Sequence, residues 1–324
     1  MKRYPMKLSH VPKEIIWGGD KLKLNYNKTA DFQKIAESWE LTVRDDGMSF
    51  ITNGEFAGVS LQDLITRYPD FVYSGFHGDD FPLLIKFIDA ADDLSVQVHP
   101  DDTYAALHED TQGKTEMWYI VEASDDASIL YGFADNVTKE DFINALSSRY
   151  DEKLFNRIPV KQGDVFFIPA GQIHAICHGV LIAEIQQNSN VTYRIFDYGR
   201  IGLDGKPRAL HTTQAIDTVK VFPSDEIERL SHEGSPNRRK DLTVGKVICD
   251  SKHFRVTRLN QEVQNVFTVD EKSFVSMLFT DAENSSVTCC NVTVYVNKGD
   301  SVYIPAGSGN VTVKGKCEVL ISEI

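Results

Sequence analysis

Residues 163–174 read GDVFFIPAGQIH. A Gly-Asp turn leads into the apolar run Val165, Phe166, Phe167 and Ile168, which stops at Pro169-Ala170-Gly171 just before His174. An apolar run bounded by turn residues predicts a buried strand closed by a tight turn. Proline fixes φ and lacks a donor, and glycine reaches backbone angles closed to other residues. The turn re-aims the chain, so that His174 is expected to point into whatever the strand lines.

Working outward, the preceding segment 94–100, LSVQVHP, alternates Leu94, Val96 and Val98 with Ser95, Gln97 and His99. A period of two puts the three polar side chains on one strand face. Pro100 ends the strand, and Asp101 or Asp102 can cap a short helix through Tyr104, Ala105 and Leu107. After Gly113-Lys114-Thr115, a strand from 116 to 121 places Glu116, Trp118 and Ile120 on one face. A carboxylate opening such an apolar face needs a partner or a metal, because a buried lone charge is costly. Downstream, GVLIAEIQQNS (179–189) and VTYRIFDY (191–198) read as two more strands, the second carrying Arg194.

Further along, Gly299-Asp300, an apolar run ending at Ile304, and Pro305-Ala306-Gly307 repeat the spacing of residues 163–171. Two copies of one β-unit are the economical explanation. In the second copy Asn310 stands where His174 stands in the first, and no Gln-x-His strand precedes it. The second unit is therefore expected to keep the shape and lack the metal.

The first eighty residues mix turns with short helices. Asp31 is a candidate cap for a helix through Phe32, Ile35 and Ala36, and Ser60 with Asp63 resembles a capping box before Leu61, Leu64 and Ile65. Thr138 with Asp141 marks another helix at about 139–146, and a further one spans about 212–219. The hydrophilic stretch 223–244, with the cluster Arg238-Arg239-Lys240, reads as linker or exposed loop. The expected division is a metal-binding domain over 1–222, this linker, and a smaller domain over 245–324. Several short strands at close spacing predict a mainly β protein, a sandwich or barrel of jelly-roll type, with a few short helices on the first unit.

Composition narrows the function. The 324 residues are 42% hydrophobic and 25% charged, with a net charge of −13 and a pI near 5.1. That balance argues against general binding to nucleic acid or anionic lipid, so phosphate recognition must rest on a few local cations. No run approaches the roughly 18 apolar residues of a membrane span, and the start MKRYPMKLSHVPKE lacks a secretory core. A cytoplasmic protein is expected. Cys177, Cys249, Cys289, Cys290 and Cys317 lack CxxC spacing, which argues against a disulfide framework or thiolate zinc site.

Gln97, His99, Glu116 and His174 thus form a candidate ligand set suited to a divalent first-row cation, most naturally one Zn²⁺ per chain. Two histidines and a carboxylate by themselves also fit a non-haem iron oxygenase. The 163–174 spacing resembles the second signature motif of cupins. The wording around the ligands goes further: SVQVHPDD (95–102), GKTE (113–116), IPAGQIHA (168–175), QQNS (186–189) and YRIFDY (193–198) resemble class I mannose-6-phosphate isomerases, closest to the short bacterial form. Trp17-Gly18-Gly19, Glu37-Ser38-Trp39-Glu40 and Phe81-Pro82-Leu83-Leu84 extend that likeness over about 15–222.

The resemblance implies two cupin barrels, zinc at the four residues above, Arg194 as the active-site arginine and interconversion of mannose 6-phosphate with fructose 6-phosphate through an enediol. It also favours Ser95 as a phosphate partner. Lys114 is a candidate for the phosphate or the oxyanion. Gly113 stands where longer relatives carry a histidine, so a proton-transfer role for that histidine does not carry over. The proton-transfer base stays open among Glu184, His178, a zinc-bound water and another group brought in by folding. A sugar-phosphate sensor without turnover is the alternative from another class. The expected assembly is a monomer or homodimer.

Overall fold

A computed structural model describes residues 3–77, 80–146, 152–235 and 244–324. Side-chain alternation builds its first barrel. In the strand Glu116–Ala123, Trp118 and Ile120 enter one apolar cluster while Met117, Tyr119 and Val121 enter another. The neighbouring strand Val180–Gln187 divides in the same way, with Ile182 on the first side and Leu181, Ala183 and Ile185 on the second. A sheet that is apolar on both faces must be covered on both.

The first face is covered by a second sheet. One six-stranded antiparallel sheet runs in the order Val165–Ile168, Glu116–Ala123, Val180–Gln187, Leu83–Ala90, Glu37–Leu41, Val11–Lys13. Facing it, a five-stranded sheet runs Phe155–Pro159, Ser128–Phe133, His174–Ile176, Val96–Val98, Tyr193–Phe196. Ile120 and Ile182 from one sheet meet Ile129 and Ile176 from the other. This is the cupin barrel anticipated from the 163–174 stretch.

The second unit is an eight-stranded sheet. Val275–Cys289 and Gly309–Glu323 pair along its length, flanked by Ser301–Ile304 and Arg255–Gln261, and its interior is closed by Met277, Phe279, Val302, Val313 and Ile321. Its other face, with Phe254, Leu278, Tyr303 and Leu320, packs on Tyr119 and Leu181 of the first barrel. One continuous core therefore joins the two units.

Helix boundaries follow the capping residues. Ser60 accepts from the Asp63 amide at the start of Leu61–Arg67, and Asp101 accepts from the Tyr104 amide at the start of Asp102–His108. Thr138 and Asp141 bond reciprocally before Lys139–Leu146. Three expectations need adjustment. The helix from Asp31 does not form: Ile35 bridges to Gly19 and the Ala36 amide donates to Lys13, so a neighbouring segment takes the backbone. Within 223–244, a helix spans Ser224–Ser231 and lays Ile227 and Leu230 on the shared core; its polar face had masked it. Arg238-Arg239-Lys240 lie outside the described residues. The boundary at 222 is also crossed from the other end, because Met6–Lys7 pairs with Ser301–Ile304 and adds an N-terminal strand to the C-terminal sheet. Among the described residues, no helix is long and apolar enough to cross a membrane.

Candidate metal centre

The turn after Val165–Ile168 is tied directly to the first histidine strand. Gly171 adopts φ +96°, its amide donates to the His99 carbonyl at 2.8 Å, and the Gln172 amide closes the turn on Pro169. The chain then enters His174–Ile176, where His174 lies opposite Gln97; on the other side Gln97 lies opposite Arg194. Register alone thus lines up His174, Gln97 and Arg194 across three adjacent strands, while Glu116 approaches from the facing sheet.

The side chains converge. His174 Nε2 is 3.4 Å from one Glu116 oxygen, and His99 Nε2 is 3.5 Å from the other. One ligand atom from each of these three residues falls within 4.8 Å of the others. Gln97 Nε2 reaches His174 Nε2 at 3.3 Å, and a half-turn of that amide would present its oxygen to the same point. His99 donates Nδ1–H to the Val191 carbonyl at 2.8 Å and His174 donates its own to Gln172 at 2.9 Å. Both rings therefore turn an unprotonated Nε2 inward, the tautomer a metal requires.

Electrostatics agree with that tautomer. Burial, with a smaller push from Lys114, lowers both imidazoles: His99 falls well below its ordinary value and His174 to about 4. Burial, reinforced by Glu184, pushes the Glu116 carboxyl up, and its Oε1 has no hydrogen-bond partner. A buried oxygen without a partner beside two neutral imidazoles fits a divalent cation, which would be held by His99, Glu116, His174 and Gln97.

Lys114 borders the cluster. Its ammonium pairs with Glu116, donates to His99 Nε2 at 3.2 Å and lies 3.6 Å from Glu184. Arg194 donates Nε–H to Ser95 at 3.3 Å and an Nη1 proton to the Ala209 carbonyl at 3.1 Å. Ser95, Lys114, Glu184 and Arg194 all line a cavity of about 420 Å³ that also meets Gln97. His178 is elsewhere: it is half-exposed and paired with Asp93 and Asp126. Asn310 is exposed on the second barrel and accepts from Thr268.

Two cavity groups escaped the sequence reading. Lys86, buried, sits 3.2 Å from Glu184 and 3.3 Å from Glu37. Its signal was present as the lone cation in the otherwise apolar strand start LLIKFI. Burial opposes the charge of both Lys86 and Glu184, but attraction prevails: Lys86 faces Glu184 and Glu37, while Glu184 faces Lys114 and Lys86 and accepts from Trp118 Nε1 at 3.1 Å. Lys86 is shifted up and Glu184 down. Arg208 also lines the cavity, held at 2.7 Å by Asp197. Its distance from the ligand motifs gave no local clue.

Fold and site together define a two-barrel cupin with a buried candidate metal centre opening on a cation-lined cavity. Residues 6–120 match the family described as phosphomannose isomerase type I, catalytic domain. Over 325 residues the chain is 34% identical to ManA, the mannose-6-phosphate isomerase of Bacillus subtilis, covering 100% of each. It is 38% identical over 217 residues to the mannose-6-phosphate isomerase of Streptococcus mutans, 67% of this chain and 68% of that one. The crystal structure of the mannose 6-phosphate isomerase from B. subtilis matches with a TM-score of 0.89 at 32% identity, covering 99% of this chain and 100% of that chain. The chain belongs to the type I phosphomannose isomerase family.

Proposed function

We propose that this chain is a zinc-dependent aldose–ketose isomerase that interconverts mannose 6-phosphate and fructose 6-phosphate through an enediol. The observation carrying this reading is the convergence of two neutral imidazoles and a carboxylate beside a cavity that gathers Lys86, Lys114, Arg194 and Arg208 in a chain of net charge −13. Such local cations attract a sugar phosphate against the overall charge.

A cation held by Gln97, His99, Glu116 and His174 supplies Lewis acidity toward the substrate carbonyl and its developing oxyanion. The protein's own groups do the rest. Arg194, oriented by Ser95 and Ala209, holds substrate oxygens with a charge that persists at any working pH. Lys114 stands close enough to the ligands to neutralise an oxyanion formed beside them. Among the base candidates, Glu184 is the carboxylate lining the cavity. Lys86 and Trp118 hold it ionised and oriented, which keeps a proton acceptor in the lining for the transfer between C1 and C2, although the same contacts lower its basicity. His178 lies outside that cavity lining.

The test is a coupled assay on mannose 6-phosphate with metal content measured in parallel. Stoichiometric zinc and turnover abolished by chelator are expected. Sugar-phosphate binding without turnover would favour a sensor, and bound iron with oxygen uptake would favour an oxygenase.

A further inference from the structure

The strand Val180–Gln187 ends in two consecutive buried glutamines, neither of which belongs to the candidate ligand set. Their hydrogen bonds run to the two backbone segments that carry it. Gln187 accepts the Thr115 amide on Oε1 at 2.9 Å and donates from Nε2 to Asp102 Oδ1 at 2.9 Å. Its backbone amide also donates to the Thr115 carbonyl at 3.0 Å. The same Asp102 oxygen accepts the Gly113 amide at 3.0 Å, and the Lys114 amide donates to Pro100. Residues 113–115, leading into Glu116, are thereby gripped from both sides.

Gly113 shows how close that grip is. A Cβ there would lie 2.5 Å from the Asp102 nitrogen and 2.6 Å from the Asp101 carbonyl carbon, both backbone atoms that cannot swing aside. The segment reaches the Asp102 helix only because this position has no side chain. Gly113 is thus a packing requirement in this chain.

Gln186 acts on the side of His99. Its Nε2 donates to the Gln187 carbonyl at 2.8 Å and to the Ser189 carbonyl at 2.6 Å, while its Oε1 has no partner. The side chain is used as a double donor. Those bonds brace the turn 187–191, where the Ser189 amide also donates to Gln187 and the Val191 amide donates to Ser189 Oγ. Val191 then offers the carbonyl that accepts His99 Nδ1–H.

We propose that Gln186 and Gln187 are positioning residues for the metal centre, Gln187 setting Lys114 and Glu116, Gln186 setting the ring of His99. This rests on the metal reading above. Partners that orient ligands typically matter by about 10–100-fold in metal affinity. The chemistry is specific to an amide, because position 187 must accept and donate at once. In Gln187→Glu the new carboxylate meets Asp102 acceptor to acceptor.

The experiment titrates chelator-treated protein with Zn²⁺ in competition with a chromophoric chelator, and with Co²⁺ followed by its visible absorption. The expected result is about a 10–100-fold weaker Kd for Gln187→Glu and a similar weakening for Gln186→Met. The ring-nitrogen NMR shifts of His99 should change in Gln186→Met and not in Gln187→Met, a readout a purely structural role would not move. If Gln187→Glu does not fold, Gln187→Met, neutral and of similar length, carries the same Kd prediction. Unchanged Kd in the Gln186 and Gln187 variants would overturn the positioning role. Failure of the unsubstituted protein to bind either ion would instead overturn the metal reading and this inference with it.

Discussion

The two barrels contain the same turn and end it differently. Gly163 and Gly299 take φ +92° and +90°, Gly171 and Gly307 take +96° and +71°, and each Pro-Ala-Gly closes a four-residue strand. Past the first turn, His174 is fully buried against Glu116; past the second, Asn310 faces solvent. The interiors diverge accordingly. The first barrel takes in Lys86, Lys114, Glu116 and Glu184, whereas the second is filled by Val302, Ile304, Val311, Val319 and Ile321. A shared backbone device thus shapes both units, and the residues that follow it decide whether a unit can host chemistry or only packing. The second barrel's use is visible at the contact. Glu318 accepts from Tyr119 at 2.9 Å and from Arg258, bracing the reverse side of the strand that starts with Glu116.

The contrast is broken most severely by His174→Ala. This should remove metal binding and cut turnover by more than about a thousandfold, equivalent to over ~4 kcal/mol of barrier. Metal analysis with the coupled assay checks it, and full zinc with full rate would refute the ligand assignment.

Next in size is the cost of buried charge in the first barrel. Lys86→Met removes the buried cation paired with both Glu184 and Glu37, so a loss of about 3–5 kcal/mol is expected on denaturant unfolding. All three tryptophans, Trp17, Trp39 and Trp118, lie in the first barrel, so their fluorescence reports that unit. A loss below about 1 kcal/mol would mean the cluster is not electrostatically coupled.

Acid sharpens the comparison without a mutation. His174 titrates at about 4 when folded, against 6.5 for an ordinary histidine. Between those values the unfolded chain holds a proton that the native chain does not, so stability falls as pH drops through the window. The contribution is up to about 3 kcal/mol, with His99 acting in the same direction and Glu116, whose carboxyl is pushed up by burial, acting against both. Denaturant titrations in chelator at pH 7 and 4.5 test this by difference, since stability should fall less (or rise more) between the two pH values in His174→Ala than in the unsubstituted protein.

The smallest effect belongs to the second barrel. Asn310→Ala removes one exposed bond from Thr268 and should change stability by less than about 0.5 kcal/mol and leave turnover unchanged. A loss of activity there would show that the second barrel does more than pack.

Much of the architecture was legible because its causes are local. Alternation in 94–100 and 116–121 fixes which side chains share a face, Ser60 and Asp101 mark helix starts, and the Gly-Asp and Pro-Ala-Gly punctuation delimits a strand in both barrels. Register, long-range pairing and the meeting of charges are not local. No pattern near Lys86 specifies Glu37 and Glu184 as partners, and nothing near Met6 announces a partner almost three hundred residues away in Tyr303. By itself the sequence determined strand faces, turns and the kinds of donor available, since these depend on backbone sterics and side-chain chemistry within a few residues. Only the tertiary structure decided which donors converge, which charges are buried together and how one barrel braces the other, because those follow from burying both faces of a single sheet.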